Sequence, residues 1–417
     1  MAGPEGALWN PEVQTMPRDQ LLALQAERLR EAVARAAELP FWKAKLDAGG
    51  VAPDDVKTTD DLLRIPRTVK DELRADQAAN PPFGSYQRRE GAVRIGTTTG
   101  TTGTPTMILW TRRDLEVEHE GAARMFWRYG TRPGQLVVHS HPLGIYGGGA
   151  ILSSALEAFG ATVAPVGAPS SDADAEKTVR MFQTLRPDQY MMFDNTQLLY
   201  WEAAERLGLK PAEDLGMRPR MEHPVLQSAI GTAGAECFSF LGGGCMQFQG
   251  AHICEDFAVV ECIDPSTGLP QPDQTRGHLV VTTIGRDNVM LRYDLEDVIR
   301  LNREPCACGE THMRMLWDGR AKDYIRVRDK ELLPVDVWVV LEEFPELKAP
   351  MLEFMLVRRP GNDDALEIRI EGDASLHDAI TARLEEKLAV PTRVEMQPRG
   401  SIPRPEFKPV RVVDEPA

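Results

Sequence analysis

The sequence predicts an α/β protein made of a large N-terminal domain with parallel-rich sheets, residues 1–318, and a small α+β domain, residues 319–417. Three features predict this. From Val93 onward short β-type runs alternate with helical patterns, the order of a layered parallel-rich fold. A short charged stretch, GRAKD from Gly319, interrupts the alternation. Beyond it helices and strands alternate again over a stretch of about 100 residues, the size of a compact small domain.

The first 75 residues read as helices. Arg18 to Leu39 carries Leu21, Leu22, Leu24, Leu29, Val33 and Ala36 at helical spacing, and Pro40 is expected to stop the run. VRIG, MILWT (107–111), QLVVHS (135–140) and ATVAPVG (161–167) read as strands, with helices over 113–129, 149–159 and 173–185. Residues 254–300 place AVVECID, GHLVVTTI and MLRYD between Pro, Gly and Asp turns, which predicts a β-rich subregion. In the small domain we expect a helix over 335–347, strands MLEFMLV and ALEIRI around the turn RPGNDD, a helix over 376–388 and a last strand near TRVEMQ.

Charge narrows the function. The chain carries 48 Lys and Arg against 63 Asp and Glu, a net charge of -15 over 417 residues. That balance excludes a sequence-independent grip on a nucleic-acid backbone or an anionic membrane surface. No apolar run approaches the roughly 20 residues of a membrane-spanning helix. The N-terminus, MAGPEGALWNPEVQT, lacks the basic-then-apolar plan of a secretory signal, so a cytoplasmic location is expected. Six cysteines are too few for a disulfide scaffold, yet all lie between Cys237 and Cys308, a clustering that points to metal binding.

Residues 96–106 read GTTTGTTGTPT between two expected strands. Gly96, Gly100 and Gly103 allow the backbone to aim several N–H groups inward, and hydroxyls from Thr97, Thr98, Thr99, Thr101, Thr102, Thr104 and Thr106 add donors, together a cradle for a polyphosphate. The loop has neither the Gly-Lys-Ser/Thr ending of a Walker A motif nor a G-x-G-x-x-G opening a helix. A polar surface loop is the alternative.

This loop resembles the signature of the adenylate-forming superfamily of acyl- and aryl-CoA ligases, with Thr104 where a Lys is common. Other segments follow in that family's order. RYDLEDV (292–298) is similar to the motif whose aspartate holds the ribose hydroxyls, here Asp297. DGRAKDYIRVRDKELLP (318–334) resembles the interdomain hinge, with Arg320 near the ribose and Lys322 at the pivot. GSIPRPEFKPVRVVDE (400–415) resembles the C-terminal lysine motif, which puts the adenylation lysine at Lys408 on a mobile lid. The phenylacetate-CoA ligase subfamily is the nearest likeness, and it spans essentially the whole chain.

The resemblance implies ATP, Mg2+ and CoA as cofactors or co-substrates and a small aromatic acid as substrate, with a second copy of the chain as a further candidate partner. Its aromatic-Gly-x-Thr-Glu segment is missing. At its place stands AECFSFLGGGCMQFQGAH (235–252), where Phe238 or Phe240 is the candidate ring for adenine. Three readings follow: Glu236 serves magnesium from a shifted position, phosphates and waters hold the ion, or adenylation is weakened. Trp127, Tyr146 and Gly147, beside the run GIYGGGA, are candidates for the acyl pocket, with a tight strand-to-helix connection as the alternative for the glycines.

Cys245 and His252 form one pair and Cys306-x-Cys308 a second, the layout of a closed four-ligand zinc site. AHICED and CACGETH match the layout in which some members of the resembling family hold zinc. Cys254, Cys262 and His312 are spare candidates, and buried reduced thiols are the alternative. Four protein ligands leave no open position, so the metal is expected to be structural.

The function this implies is an AMP-forming acid–CoA ligase. Two alternatives stand beside it: an adenylating enzyme that passes the acyl group to an amine, hydroxyl or carrier protein, and a non-catalytic binding protein of the same fold. For the loop, Thr101→Val with Thr102→Val keeps the β-branched shape and deletes two hydroxyls. We expect weaker ATP binding and slower turnover in steady-state kinetics; unchanged values of both would return the segment to a surface loop.

Overall fold

The computed structural model describes residues 8–98, 105–217, 237–245, 247, 249–348, 351–361, 363–403 and 410–416. The chain packs as two units, the first formed by Met1–Gly134, Leu143–Val163 and Ser228–Trp317, the second by Gln135–Pro142, Ala164–Gln227 and Asp318–Ala417.

The first unit opens with a short helix α1 (Pro11–Gln14), then α2 (Arg18–Ala37), which buries Leu21, Leu29, Ala32, Val33 and Ala36 on one face. Pro40 ends α2 as expected, but it also begins α3 (Pro40–Ala48). A proline's fixed φ and missing N–H suit the first position of a helix, so one residue does both. Strand β1 (Thr68–Val69) and helix α4 (Lys70–Ala79) follow. Strands β2 (Ala92–Thr97) and β3 (Met107–Thr111) pair antiparallel. Helix α5 (Arg112–Arg128) starts at a capping box in which the Thr111 hydroxyl accepts from Asp114 N at 3.1 Å and Asp114 Oδ2 accepts from Thr111 N at 2.9 Å.

Strand β4 (Leu136–Ser140), helix α6 (Gly147–Phe159) and strand β5 (Thr162–Pro165) agree with the expected elements. Helix α7 (Asp172–Leu185) does too, whereas strand β6 (Gln189–Met192) carries no strong apolar signal in the sequence. The three strands form a sheet of order β5-β4-β6, with β4 and β6 parallel. Helix α8 (Asp194–Arg206) follows, and its Tyr200, Ala203 and Ala204 join Val138, Val179 and Phe182 in a buried cluster.

The first unit's large sheet contains β7 (Gly242–Gly244), β8 (Ala251–Ile253), β9 (Ala258–Ile263), β10 (Gly277–Thr283), β11 (Tyr293–Asn302) and β12 (Arg314–Arg320). The order is β7-β8-β12-β11-β10-β9, with β1 joined to β11. The α/β class holds, but the parallel-rich expectation needs correction here. Ladders β7–β8, β8–β12, β9–β10 and β10–β11 are antiparallel, and β1–β11 is parallel. The cause is the connections: short turns return a strand beside its predecessor, whereas parallel pairing needs a long crossover, usually helical.

In the C-terminal part, the hairpin β13 (Ile325–Val327) and β14 (Lys330–Leu332) turns through Arg328 at φ 56. Helix Pro334–Leu341 is shorter than the expected 335–347, its last turn being a separate 3-10 turn at Pro345–Leu347. Strands β15 (Phe354–Arg358), β16 (Leu366–Glu371), β17 (Thr392–Gln397) and β18 (Val412–Asp414) form a sheet of order β17-β16-β15-β18. Helix His377–Leu388 covers it through Ile380 and Leu384.

Unit one buries charge in its core. Arg124 on α5 donates to both oxygens of Asp256, at 2.7 and 2.9 Å, and each residue is 1% exposed. Burial opposes ionisation of Asp256, but Arg124, His312 and Arg28 outweigh it and hold the carboxyl below its usual range. Its share of stability is therefore complete above the unfolded value of about 3.9 and is lost as pH falls through the lower folded value. We expect Arg124→Met to destabilise the protein by about 3–5 kcal/mol in urea unfolding at pH 7, because it strands a buried carboxylate. Arg124→Met with Asp256→Leu should recover a large part of the loss.

Candidate active site and metal centre

Antiparallel pairing of β2 and β3 closes the base of the threonine and glycine loop. Thr98 N donates to Thr106 O at 3.1 Å, and Thr106 N to the Thr98 hydroxyl at 3.2 Å. Thr97 N donates to Ile145 O at 2.8 Å, and Thr97 forms a parallel bridge with Tyr146. The loop entry and the GIYGGGA run thus lie side by side. Gly96 is required at this junction, since a Cβ there would meet the Trp110 ring at 2.5 Å and Gly147 Cα at 3.1 Å. Thr99, Gly100, Thr101, Thr102, Gly103 and Thr104 lie outside the described residues, as do Glu236 and Lys408.

Asp297 lies on an irregularity in β11. His278 pairs with Val298 and Val280 with Asp294, so three residues of β11 face one of β10. The chain absorbs the excess with Glu296 at φ 57, and Asp294 Oδ1 accepts from Glu296 N at 2.9 Å. Asp294 is itself held by Arg67 at 3.0 Å and is buried. The bulge lifts Asp297 out of the ladder, half-exposed, where Trp317 Nε1 donates to its Oδ1 at 3.1 Å. Arg320 ends β12, and Lys322 follows, exposed, in a 3-10 turn whose Lys322 carbonyl accepts from Arg358 at 3.0 Å.

Three aromatic assignments change or gain neighbours. Phe238 and Phe240 are 0% and 4% exposed and pack edge-on against Phe257 and Phe126, at 6.4 Å in each case. A ring with no exposed face has none to stack on a base, so both are core residues and not the adenine platform. Trp127 packs with Trp9 at 5.6 Å and carries the Arg132 guanidinium over its ring at 3.9 Å.

The four candidate ligands converge. One donor atom from each of Cys245, His252, Cys306 and Cys308 lies within 4.8 Å of the others. Cys245 Sγ is 3.7 Å from Cys306 Sγ, and Cys308 Sγ is 3.3 Å from His252 Nε2. Tetrahedral zinc with Zn–S bonds of about 2.3 Å needs sulfurs about 3.8 Å apart, so the cage has the right size. His252 Nδ1 lies 2.9 Å from His312 O; donating its proton there leaves the Nε2 lone pair facing the sulfurs. The Cys308 thiol, opposed by burial and aided by His252, draws Cys245 far below the usual thiol value, while the same contact pushes Cys308 up.

The spare candidates are otherwise engaged. Burial pushes the Cys254 thiol up to about 12, and Cys262 Sγ faces the carbonyls of Thr275 and Ile299 at 3.5 Å each. His312 Nδ1 sits 2.8 Å from Ile253 O and its Nε2 3.1 Å from Val13 O.

Several residues around these sites escape a sequence reading. Glu310, one residue beyond the Cys308-Gly309 end of the ligand loop, receives Arg128 Nη2 on both oxygens at 2.5 and 2.6 Å, both side chains being buried. Its position next to CACG is the one signal available. In the second unit His139 and His141 stack at 5.1 Å, and burial pushes them down to about 4 and about 3, so both rings are neutral.

Residues 330–416 match the family described as AMP-binding enzyme C-terminal domain. A phenylacetate-coenzyme A ligase of Thermus thermophilus is 32% identical over 449 aligned positions, covering 97% of this chain and 99% of that protein. The phenylacetate-coenzyme A ligase of Escherichia coli is 29% identical, covering 96% of each. Among solved structures, a 2-hydroxyisobutyryl-CoA ligase in complex with 2-HIB-AMP superposes with a TM-score of 0.87 at 24% identity, covering 100% of this chain and 94% of that one, and so shares the fold. With a relative 32% identical along nearly the full length of both chains, this protein belongs to the phenylacetate-CoA ligase family of adenylate-forming proteins.

Proposed function

We propose that the protein is an ATP-dependent, AMP-forming ligase that activates a small aromatic carboxylic acid as its acyl-adenylate and transfers the acyl group to CoA. The observation that carries this is the 32% identity to a phenylacetate-coenzyme A ligase over 97% of the chain. In the first step a carboxylate oxygen attacks the α-phosphorus of ATP and pyrophosphate leaves. In the second the CoA sulfur, having lost its proton, attacks the acyl carbon and AMP leaves.

Residues take roles accordingly. The threonine and glycine loop holds the phosphates, its base fixed by the Thr98–Thr106 pairing. Asp297 on its bulge accepts the ribose hydroxyls, and Arg320 keeps the ribose role that the resemblance gives it. Lys408 offsets charge on the five-coordinate phosphorus, and Lys322 is the pivot between a domain of residues 1–318 and one of residues 319–417. Tyr146 and Gly147, next to the loop entry, line the acyl pocket with Trp127. Magnesium is held by the phosphates and water, with Glu236 as the nearest acidic candidate. The enzyme draws on cytoplasmic ATP and CoA in this reading, and no helix among the described residues is long and apolar enough to cross a membrane.

Cys245, His252, Cys306 and Cys308 fit a zinc ion by size, donor type and tautomer. Bound there, zinc supplies folding free energy and no chemistry, because four protein ligands fill its coordination sphere.

Pyrophosphate release across a panel of aryl acids, with and without CoA, tests the function. We expect release that needs the acid, with thioester formed once CoA is added. Release without thioester would favour another acceptor, and silence with every acid would overturn the ligase. Lys408→Ala should slow adenylation about a hundredfold or more and spare thioester formation from supplied acyl-adenylate. Equal loss in both steps would remove Lys408 from its role.

Metal analysis of protein purified without chelator should find about one zinc per chain, and Cys306→Ser should lower stability by several kcal/mol in denaturant unfolding. A metal-free protein, or a variant of unchanged stability, would leave four reduced thiols and imidazole as core residues.

A further inference from the structure

The N-terminal segment from Trp9 to Met16 has no part in the proposed reaction, yet it is tied down at both ends. At one end Trp9 Nε1 and Asn10 Nδ2 donate to the two oxygens of Glu120 on α5, at 3.0 and 3.1 Å. The Trp9 ring packs on Phe159 at 5.0 Å and on Trp127 at 5.6 Å. At the other end the segment lies along residues 310–312. Thr311 N donates to Gln14 O at 2.9 Å, the Thr311 hydroxyl to Met16 O at 2.7 Å, and Gln14 Nε2 to Glu310 Oε2 at 3.3 Å. His312 Nε2 sits 3.1 Å from Val13 O, and the Gln14 side chain is fully buried.

Residues 310–312 are also the continuation of the ligand loop. They begin directly after Gly309, which follows Cys308, and the His312 carbonyl accepts the Nδ1 proton of the ligand His252. Ligation by Cys306, Cys308 and His252 and docking of the N-terminal segment therefore order the same stretch of backbone. Whichever event comes first leaves less conformational entropy for the other to remove, so the two favour each other reciprocally.

We propose that residues 9–16 form a strap thermodynamically coupled to the metal centre, with Gln14 and Glu310 as positioning residues that hold the Cys-x-Cys loop in ligating geometry. Zinc loading tightens the strap, and the strap raises the affinity for zinc. The inference rests on zinc occupying the Cys245, His252, Cys306 and Cys308 cage. It concerns this chain's own backbone and is independent of the acid, of ATP and of CoA.

The test uses the full chain, zinc-loaded and chelator-treated, with hydrogen exchange read in peptides covering residues 9–16 and in β15 and β16 as a folded control. Chelation is expected to speed exchange of 9–16 at least tenfold while the control stays protected. In parallel, a chromogenic chelator competes for zinc with the wild type, with Gln14→Met, which keeps length and removes the amide donor, and with Trp9→Ala, which frees the far end of the strap. Each substitution is expected to weaken zinc binding about tenfold, at the low end of what losing an outer-shell partner costs. Tight zinc with unchanged exchange of 9–16 and unchanged affinity in both variants would overturn the coupling and leave the metal centre standing. A wild type that takes up no zinc would overturn the metal centre and the coupling together.

Discussion

One helix sets the demand that organises the first unit. Buried faces of α5 carry Asp114, Glu118, Arg124 and Arg128, and a charge taken from water without a partner costs several kcal/mol. Their partners come from four distant segments. Asp114 Oδ1 accepts from Asp287 N at 2.8 Å and Asn288 N at 3.2 Å. Glu118 accepts from Ser239 N at 3.0 Å and from Arg286 at 3.3 Å, and even so burial raises its pKa. Arg124 takes Asp256, and Arg128 takes Glu310. These are the segments that precede β7, follow β8, join β10 to β11, and leave the Cys-x-Cys loop. Where Gly121 passes the chain at Phe240, an added Cβ would meet Phe240 O at 2.6 Å, so the helix must lie close enough to reach all four.

That constraint explains why the metal cage is preformed to the extent it is. The cage's ligands come from β8, the turn before it and the loop after β11, and the Arg128–Glu310 pair holds that last loop from the α5 side. Gly242 and Gly243 let β7 lie against β8 and α5, since a Cβ on Gly242 would strike His252 O at 2.3 Å. The strand carrying His252 can thus sit deep in the unit with the imidazole already oriented. The four candidate ligands are thus brought together by ion pairing and close backbone packing around them.

Much of the architecture is legible in the sequence, and the failures share a cause. Strands β2, β3, β4 and β15 are legible as short β-type runs between turns, and helices α2, α5 and α7 from apolar residues at helical spacing. The Cys and His quartet is legible because its members fall as two close pairs in the sequence, and their donor atoms converge. Strand direction is not: the same apolar run serves a hairpin or a crossover, and the chain returns through short turns in most of the large sheet. Phe238 and Phe240 mislead for a related reason, since an aromatic near a nucleotide motif looks the same whether it faces the base or the core. The acids and arginines of α5 carry no sequence signal of burial, and only the tertiary partners reveal them as interior.

Asp297 shows where motif and geometry meet. Arg292 and Glu296 both hold left-handed backbone, at φ 42 and 57, which ordinary side chains adopt at a cost of about 1–2 kcal/mol each. The structure pins each locally: Arg292 N donates to the Thr282 hydroxyl at 3.0 Å and its guanidinium grips Glu261, while Glu296 N is tied to Asp294. Regular β pairing through 294–298 would avoid the strain, and it would also return Asp297 to a fixed face of the ladder. The braced strain coincides with the segment of β11 that resembles a ribose-binding motif, and it sets the direction in which the Asp297 carboxylate leaves the strand. Trp317, on the neighbouring strand β12, donates to one oxygen of that carboxylate and so helps to fix its direction.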